Sequence, residues 1–237
     1  MKLREGVKHV FSFLLESVFP SFCVSCGSEG SIVCDTCLLT LETSGVFCCP
    51  ACHMINLSGE RCMACVCLTP LSRHVAMMPL TETALIHKLI HLYKYQYIET
   101  LESTFSILIQ RFFATYQFPM TDYVVPVPLH PKRYVERGFN QSERIAHLIS
   151  STTRIPFLNP LIRKVNTIKQ ATLDKKGREE NVDGAFMVSP KYLECVVGKR
   201  IVLIDDVYTT GSTLAECAKP LVQASVREVS GWSIARG

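Results

Sequence analysis

The apolar positions change period along the chain, and those changes divide it. Residues 7–19 put Val7, Val10, Phe11, Leu14, Leu15 and Val18 on one face of a short amphipathic helix that Phe19-Pro20 ends. The next stretch, to about residue 70, is dominated by cysteine. Residues 72–78, SRHVAMM, read as a strand, and a helix is predicted over 82–93 with Leu85, Ile86, Leu89 and Leu92 on one face. A second helix is predicted over 99–116. Residues 122–128, DYVVPVP, read as a short strand closed by two prolines. Asn140 is a natural N-cap with Glu143 three residues on, and Ile145, Leu148 and Ile149 continue as a buried helix face. Residues 161–187 carry six Lys/Arg and few apolar anchors, the pattern of a mobile, lid-like surface loop. Residues 201–204, Ile-Val-Leu-Ile, have the continuous apolar character of a strand buried on both faces. Residues 226–236 read as a closing edge strand.

The stretch 201–213, IVLIDDVYTTGST, carries the most chemistry. Its strand ends in two adjacent carboxylates, Asp205 and Asp206. Val207 and Tyr208 lead into Thr209, Thr210, Gly211, Ser212 and Thr213, after which a helical pattern begins. In an open α/β sheet, ligands bind at the carboxyl ends of strands. A turn that opens a helix there presents free N–H groups and the positive end of the dipole to a phosphate. Gly211 lets the backbone approach, the hydroxyls add donors, and the acids can grip sugar hydroxyls or a magnesium ion. The pattern asks for a sugar phosphate. An NTPase acid pair would need a G-x-x-x-x-G-K-[ST] loop, which the chain lacks. Downstream, Pro220 is expected to kink or end the helix early, and Ser225 stands where a turn glycine is usual.

A second anion site is expected between the strand at 122–128 and the helix that Asn140 caps, on a basic loop bearing Lys132, Arg133 and Arg137.

The 12 cysteines sharpen the picture, because ten lie between Cys23 and Cys67. They form four CxxC pairs: Cys23/Cys26, Cys34/Cys37, Cys49/Cys52 and Cys62/Cys65. Each pair aims two thiolates at one point, and two pairs complete a tetrahedral zinc site. A disulfide framework is the competing explanation. The first 20 residues contain no export-type apolar run with a small-residue cleavage site, so a cytoplasmic location and two structural zinc ions are expected. Sequential pairing is simplest, an interleaved arrangement would use the same cysteines, and Cys48 could replace Cys49. Gly27, after Cys26, suits a turn that needs positive φ. No run of about 18 apolar residues occurs, so no membrane span is expected. Charge adds little: the net value of +4 does not by itself imply nucleic acid. Arg61 is the lone Lys or Arg between Cys23 and Cys67, which argues against that segment gripping phosphates unaided.

Taken together, the chain resembles the ComF-type proteins, related to amidophosphoribosyltransferases. The resemblance runs through Phe19-Pro20, the CxxC pairs, Lys94-Tyr95, Val125-Pro126-Val127-Pro128 and Arg137-Gly138-Phe139-Asn140-Gln141. It continues with Arg163, Gln170-Ala171, Arg178 and Asn181, then Asp205-Asp206-Val207 and Thr209-Thr210-Gly211. It implies an α/β type I phosphoribosyltransferase-like fold, a mostly parallel sheet flanked by helices, behind a small N-terminal double zinc ribbon. The implied division is a helix at 1–20, the ribbons at 21–70 and the phosphoribosyltransferase-like domain at 71–237.

The roles that the resemblance implies are these. Asp205 and Asp206 would hold the ribose hydroxyls of phosphoribosyl pyrophosphate (PRPP), directly or through Mg²⁺, and residues 207–213 would cradle the 5′-phosphate. Lys132, Arg133 and Arg137 would face the pyrophosphate, and Arg163, Gln170, Arg178 and Asn181 would belong to a hood. The family's association with natural competence suggests a role in DNA uptake, with single-stranded DNA and a translocation helicase as partners. The alternative is an active Mg²⁺-dependent phosphoribosyltransferase whose acceptor the sequence does not name.

Overall fold

Residues 201–204 do form a buried strand, and a sheet is assembled around it. A computed structural model describes residues 21–81, 84–95, 98–163 and 184–237. The helix expected over 7–19 lies outside the described residues, as do Gln170, Arg178 and Asn181. The chain divides into two units: Met1–Glu42 with Glu82–Thr104, and Thr43–Thr81 with Phe105–Gly237.

The first unit holds the first two cysteine pairs and the five-residue helix α1 (Asp35–Leu39). Helix α2 (Leu85–Tyr95) follows the predicted apolar spacing and buries Ile86, Leu89, Ile90 and Tyr93. The unit boundary falls inside helix α3 (Ile98–Thr115). Within the unit the Tyr93 hydroxyl donates to Glu102, and Lys88 reaches the Val24 carbonyl at 3.3 Å.

The second unit is built on a five-stranded sheet. Its strands are β1 (Val46–Cys48), β2 (Arg73–Pro79), β3 (Tyr123–Pro126), β6 (Arg200–Tyr208) and β7 (Glu228–Arg236), in the order β1-β2-β7-β6-β3. β1 runs antiparallel to β2; every other pairing is parallel. Helix α5 (Gln141–Thr153) packs on β3 and β6, and helix α7 (Ser212–Gln223) packs on β6 and β7. Ile201 and Leu203 of β6, with Val125, Val229, Leu214, Cys217, Ala218 and Leu221, form one hydrophobic cluster. Phe112 and Phe113 meet the fully buried Trp232 at 5.9 and 6.0 Å between ring centroids.

Two expectations are corrected here. β7 is not an edge strand: it lies between β2 and β6, and Val229 and residues 231–235 are buried. Its alternation is too weak for an edge because both of its faces are covered. Pro220 does not end α7, which continues to Gln223. The ring removes one helical bond, to the Glu216 carbonyl, and the helix runs one further turn. It closes with a Schellman pattern: Ser225 takes φ 60°, its N–H bonds the Val222 carbonyl at 2.9 Å, and Val226 N–H bonds that of Leu221 at 3.1 Å. The ends of the segment 161–187 are paired, and residues 164–183 lie outside the described ones. Strand β4 (Leu161–Arg163) pairs antiparallel with β5 (Phe186–Val188), Arg163 opposite Phe186.

The basic loop also gains structure, as the seven-residue helix α4 (Pro131–Arg137). Pro131 starts it, the His130 ring accepts from Lys132 N–H at 3.2 Å, and Gly138 at φ 78° ends it. A last four-residue helix, α6 (Leu193–Val196), precedes β6. Among the described residues no helix is long and apolar enough to cross a membrane.

Candidate functional site

Three chain segments converge at the carboxyl end of β6. The strand carries Asp205 and Asp206 out of the buried core, where both become half-exposed. β3 runs beside it in register, and Val127 N–H bonds the Ile204 carbonyl at 3.0 Å. The chain then returns through α4 to the start of α5. Asn140 caps that helix by accepting Ser142 N–H at 3.1 Å, and its amide donates back to the Val127 carbonyl at 3.0 Å. The cap thereby ties the helix to the end of β3. It leaves the Ser142 hydroxyl 3.0 Å from Oδ1 of Asp205, and Asp206 N–H donates to the same oxygen at 2.9 Å. Two donors on one carboxylate oxygen fix its rotamer. Gln141, beside them, is 1% exposed, and its Nε2 has no hydrogen-bond partner.

Thr209, Thr210 and Gly211 form the turn into α7. Gly211 is the N-cap at φ 75° and contributes no side-chain acceptor to the helix. The first-turn N–H groups keep their capacity for a bound anion. Thr210 and Ser212 hydroxyls lie 3.0 Å apart, and Ser212 N–H meets Thr210 Oγ1 at 3.4 Å. Thr209, Thr210 and Ser212 are exposed, so a ligand can reach them. Tyr208 is different. It is buried, and its hydroxyl donates to the Pro50 carbonyl at 2.9 Å.

A cluster of cations lies on the α4 and β4 side. Burial, then Arg163, Arg133 and Lys132, hold the His130 imidazole below the usual histidine range. Arg163 is lowered first by its burial and also by Arg133, and its guanidinium sits over the Phe186 ring at 5.2 Å. Arg163 and Asp205 also both act on the buried Cys217 thiol of α7, whose own burial pushes it up. Helix α4 follows the carboxyl end of β3, which runs parallel to β6, so its cations lie toward the same end of the sheet as the acids, and mutual repulsion among cations is relieved by an anion. Of the sequence-derived candidates, Asp205, Asp206 and residues 207–213 are adjacent, and Lys132, Arg133 and Arg163 form this positive group. Arg137 ends α4, half-buried.

The cysteines fall into two groups of four, Cys23, Cys26, Cys34 and Cys37, and Cys49, Cys52, Cys62 and Cys65. Pairing is therefore sequential, and Cys49 rather than Cys48 joins the second group. Within each group all four sulfurs lie within 4.8 Å of one another. The sulfurs of Cys26 and Cys34 lie 3.6 Å apart, and those of Cys52 and Cys62 3.7 Å apart. A tetrahedron with metal–sulfur bonds of about 2.3 Å has edges of about 3.8 Å, so both groups could hold a zinc ion. Burial raises Cys23, but the N–H groups of Cys34, Cys26 and Ser25 more than offset it and bring the thiol down to about 6. Cys49 follows the same logic, also to about 6, while the Cys62 side chain and burial push Cys65 up to about 12. Gly27 takes the expected positive φ, 77°, and His53 occupies the matching position of the second group at φ 62°.

Cys48 is buried and points elsewhere, 3.8 Å from Nδ1 of His74. The His74 Nε2 is 3.2 Å from the Ser233 hydroxyl, which itself donates to the Ala235 carbonyl. Since the Ser233 hydroxyl donates elsewhere, His74 Nε2 donates to it, and burial holds His74 down to about 3.

Sequence reasoning missed Ser142 and Pro50. Ser142 was visible only as a helix-cap neighbour, and Pro50 as the interior of a CxxC turn. Neither position signals a contact with a strand end far along the chain.

No family model matches the chain. It is similar to competence protein F of Haemophilus influenzae, 37% identical over 123 residues, which are 52% of this chain and 53% of that protein. It is also similar to competence protein ComFC of Bacillus subtilis, 38% identical over 114 residues, 48% and 44% of the two chains. The chain spans about half the length of these relatives. Among solved structures it resembles the glutamine PRPP amidotransferase of B. subtilis complexed with ADP and GMP. That match has 21% identity and a TM-score of 0.43 and covers 61% of this chain and 30% of that one. A likeness at this level bears on neither ligand nor activity.

Proposed function

We propose that the chain binds PRPP, or a related ribose phosphate, with Mg²⁺ at the carboxyl end of β6, and that it serves DNA uptake in natural competence. The observation that carries the ligand is Asp205 held by Ser142 directly before the Thr209-Thr210-Gly211 turn. Asp205 and Asp206 take the ribose hydroxyls and the Mg²⁺. Residues 209–213 take the 5′-phosphate on the turn and the α7 N-terminus, while Tyr208 is buried behind them. Lys132, Arg133 and Arg137 take the pyrophosphate, joined by Arg163 and, in the hood, Gln170, Arg178 and Asn181. Mg²⁺ would supply charge neutralisation between the carboxylates and the phosphates.

The role in DNA uptake is supported by the names of the relatives, competence protein F and competence protein ComFC. In this reading the cysteine groups each hold a structural zinc, because four thiolates leave no open coordination position. By function the chain divides into a helix at 1–20, a double zinc ribbon at 21–70 and a phosphoribosyltransferase-like domain at 71–237. Its partners are single-stranded DNA and a translocation helicase, and it acts in the cytoplasm. Any direct grip on DNA falls to the basic α4 and β4 side, which a salt titration of single-strand binding examines.

A second reading is favoured by the cation group of Lys132, Arg133 and Arg163: an active phosphoribosyltransferase in which these residues stabilise departing pyrophosphate. Both readings share the same ligand. PRPP with Mg²⁺ is expected to raise the melting temperature, and Asp205→Asn with Asp206→Asn to remove the rise; an equal rise in both proteins refutes the site.

A further inference from the structure

The second cysteine group is built directly onto the sheet edge that carries the phosphate turn. Tyr208 ends β6 and Arg236 ends β7, and the two are register partners. Each reaches the Cys49–Cys52 turn. The Tyr208 hydroxyl donates to the Pro50 carbonyl at 2.9 Å, and Arg236 Nη2 donates to the His53 carbonyl at 3.3 Å. Tyr208 is 1% exposed, its ring stacks on His74 at 3.6 Å, and burial pushes its phenol up so that it remains a donor. On its other side lies the turn: a Cβ added to Gly211 would fall 2.2 Å from the Tyr208 oxygen. One buried hydroxyl is therefore wedged between a metal-binding turn and a phosphate-binding turn. His53 occupies the left-handed region at φ 62° without being glycine, so the turn is held in a strained form that needs outside support.

From this geometry we infer that Tyr208 is a positioning residue that couples metal occupancy of the Cys49, Cys52, Cys62 and Cys65 group to ligand binding at the 209–213 turn. The inference rests on the ribose-phosphate reading for its ligand, but its mechanical half does not. With the metal bound, the four thiolates fix the Cys49–Cys52 turn and so fix the Pro50 carbonyl. The hydroxyl is then satisfied, the ring is locked, and Gly211 has one place to sit. Without the metal the carbonyl is free to drift. A buried hydroxyl that loses its acceptor is costly, so the ring must move, and the turn resting on it moves too. Linkage requires the reverse as well: a ligand that orders the turn must tighten metal retention at this group. The Cys23, Cys26, Cys34 and Cys37 group belongs to the other unit.

The test uses the full chain loaded with zinc. A chelator is added, alkylation read by mass spectrometry reports when each cysteine group opens, and hydrogen exchange is followed at 209–213 and in β3. Exchange at 209–213 is expected to rise about fivefold or more when Cys49 and Cys62 open, with β3 little changed. Tyr208→Phe, which keeps the stacked ring, should give the same rise with both zinc ions retained. PRPP with Mg²⁺ should slow the opening of Cys49 and Cys62 about fivefold in the wild type and leave it unchanged in Tyr208→Phe.

The coupling is overturned by unchanged exchange at 209–213 after opening, by a rise shared equally with β3, or by equal ligand protection in both proteins. Calorimetry showing no PRPP binding overturns the ribose-phosphate reading instead, and the exchange experiment still decides the coupling.

Discussion

The Ser142 hydroxyl donates to Oδ1 of Asp205 across 3.0 Å, joining the first turn of α5 to the end of β6. The bond turns a helix cap into a support for the acid proposed to meet the ligand. Ser142→Ala is expected to lower stability by about 1 kcal/mol and to weaken PRPP–Mg²⁺ binding about fivefold, measured by calorimetry. Unaltered affinity would mean that Asp205 is oriented by something else.

Gly211 and Gly138 share nearly the same backbone conformation, φ 75° and 78°, but not the same surroundings. A Cβ at Gly138 meets nothing within 4 Å, whereas at Gly211 it strikes the buried Tyr208 ring. Gly138→Ala should cost about 1 kcal/mol, the left-handed strain alone. Gly211→Ala should cost clearly more and abolish ligand binding. Equal losses in chemical denaturation would show that Tyr208 yields freely.

His74 gives a dependence on pH with a definite sign. Its folded value, about 3, lies below the ordinary 6.5, so the unfolded chain takes up the proton first. The stability it contributes is complete above pH 6.5 and is lost as pH falls through the window from 6.5 to about 3. Between pH 7.5 and 5.5 the loss should be about 1.4 kcal/mol. His74→Gln should flatten the profile by that amount in urea denaturation, with zinc content followed alongside. Parallel profiles for the two proteins would contradict a buried neutral ring.

The metal content can be resolved group by group. Elemental analysis under reducing conditions should give two zinc ions per chain, with sulfur-only coordination at about 2.3 Å by X-ray absorption. Cys48→Ala should keep both ions, since its thiol faces His74, while Cys49→Ala should lose one. Loss of an ion in Cys48→Ala would mean that the turn is shifted by one residue.

Much of this was legible in the sequence because it rests on local rules. The Ile201–Val202–Leu203–Ile204 run specified a central strand, Asn140 a helix start and the CxxC spacing two four-sulfur groups. What escaped reading depends on neighbours supplied by distant segments. β7 looked like an edge because its pattern is broken by Ser230, Gly231 and Ser233, yet β2 and β6 flank it. Pro220 looked like a stop because propensity ignores that only one bond is lost near a helix end. Tyr208 read as one more hydroxyl of a phosphate turn, and only the fold shows its oxygen directed at Pro50. Three-residue β1 has no periodicity to detect at all.

That short strand has a consequence for where the protein can be cut. β1 closes the β2 side of the sheet, and Gly59 N–H and carbonyl lie in the same covering segment, the carbonyl accepting His74 N–H at 2.9 Å. A fragment beginning at residue 71 would discard this cover and present the bare flank of β2, an open template for pairing with another molecule. It would also strip the lid from His74 and Tyr208. A fragment beginning near residue 43 keeps the flank sealed, so the cysteine-bearing segment acts as the guard that keeps this sheet from recruiting strands of its own kind.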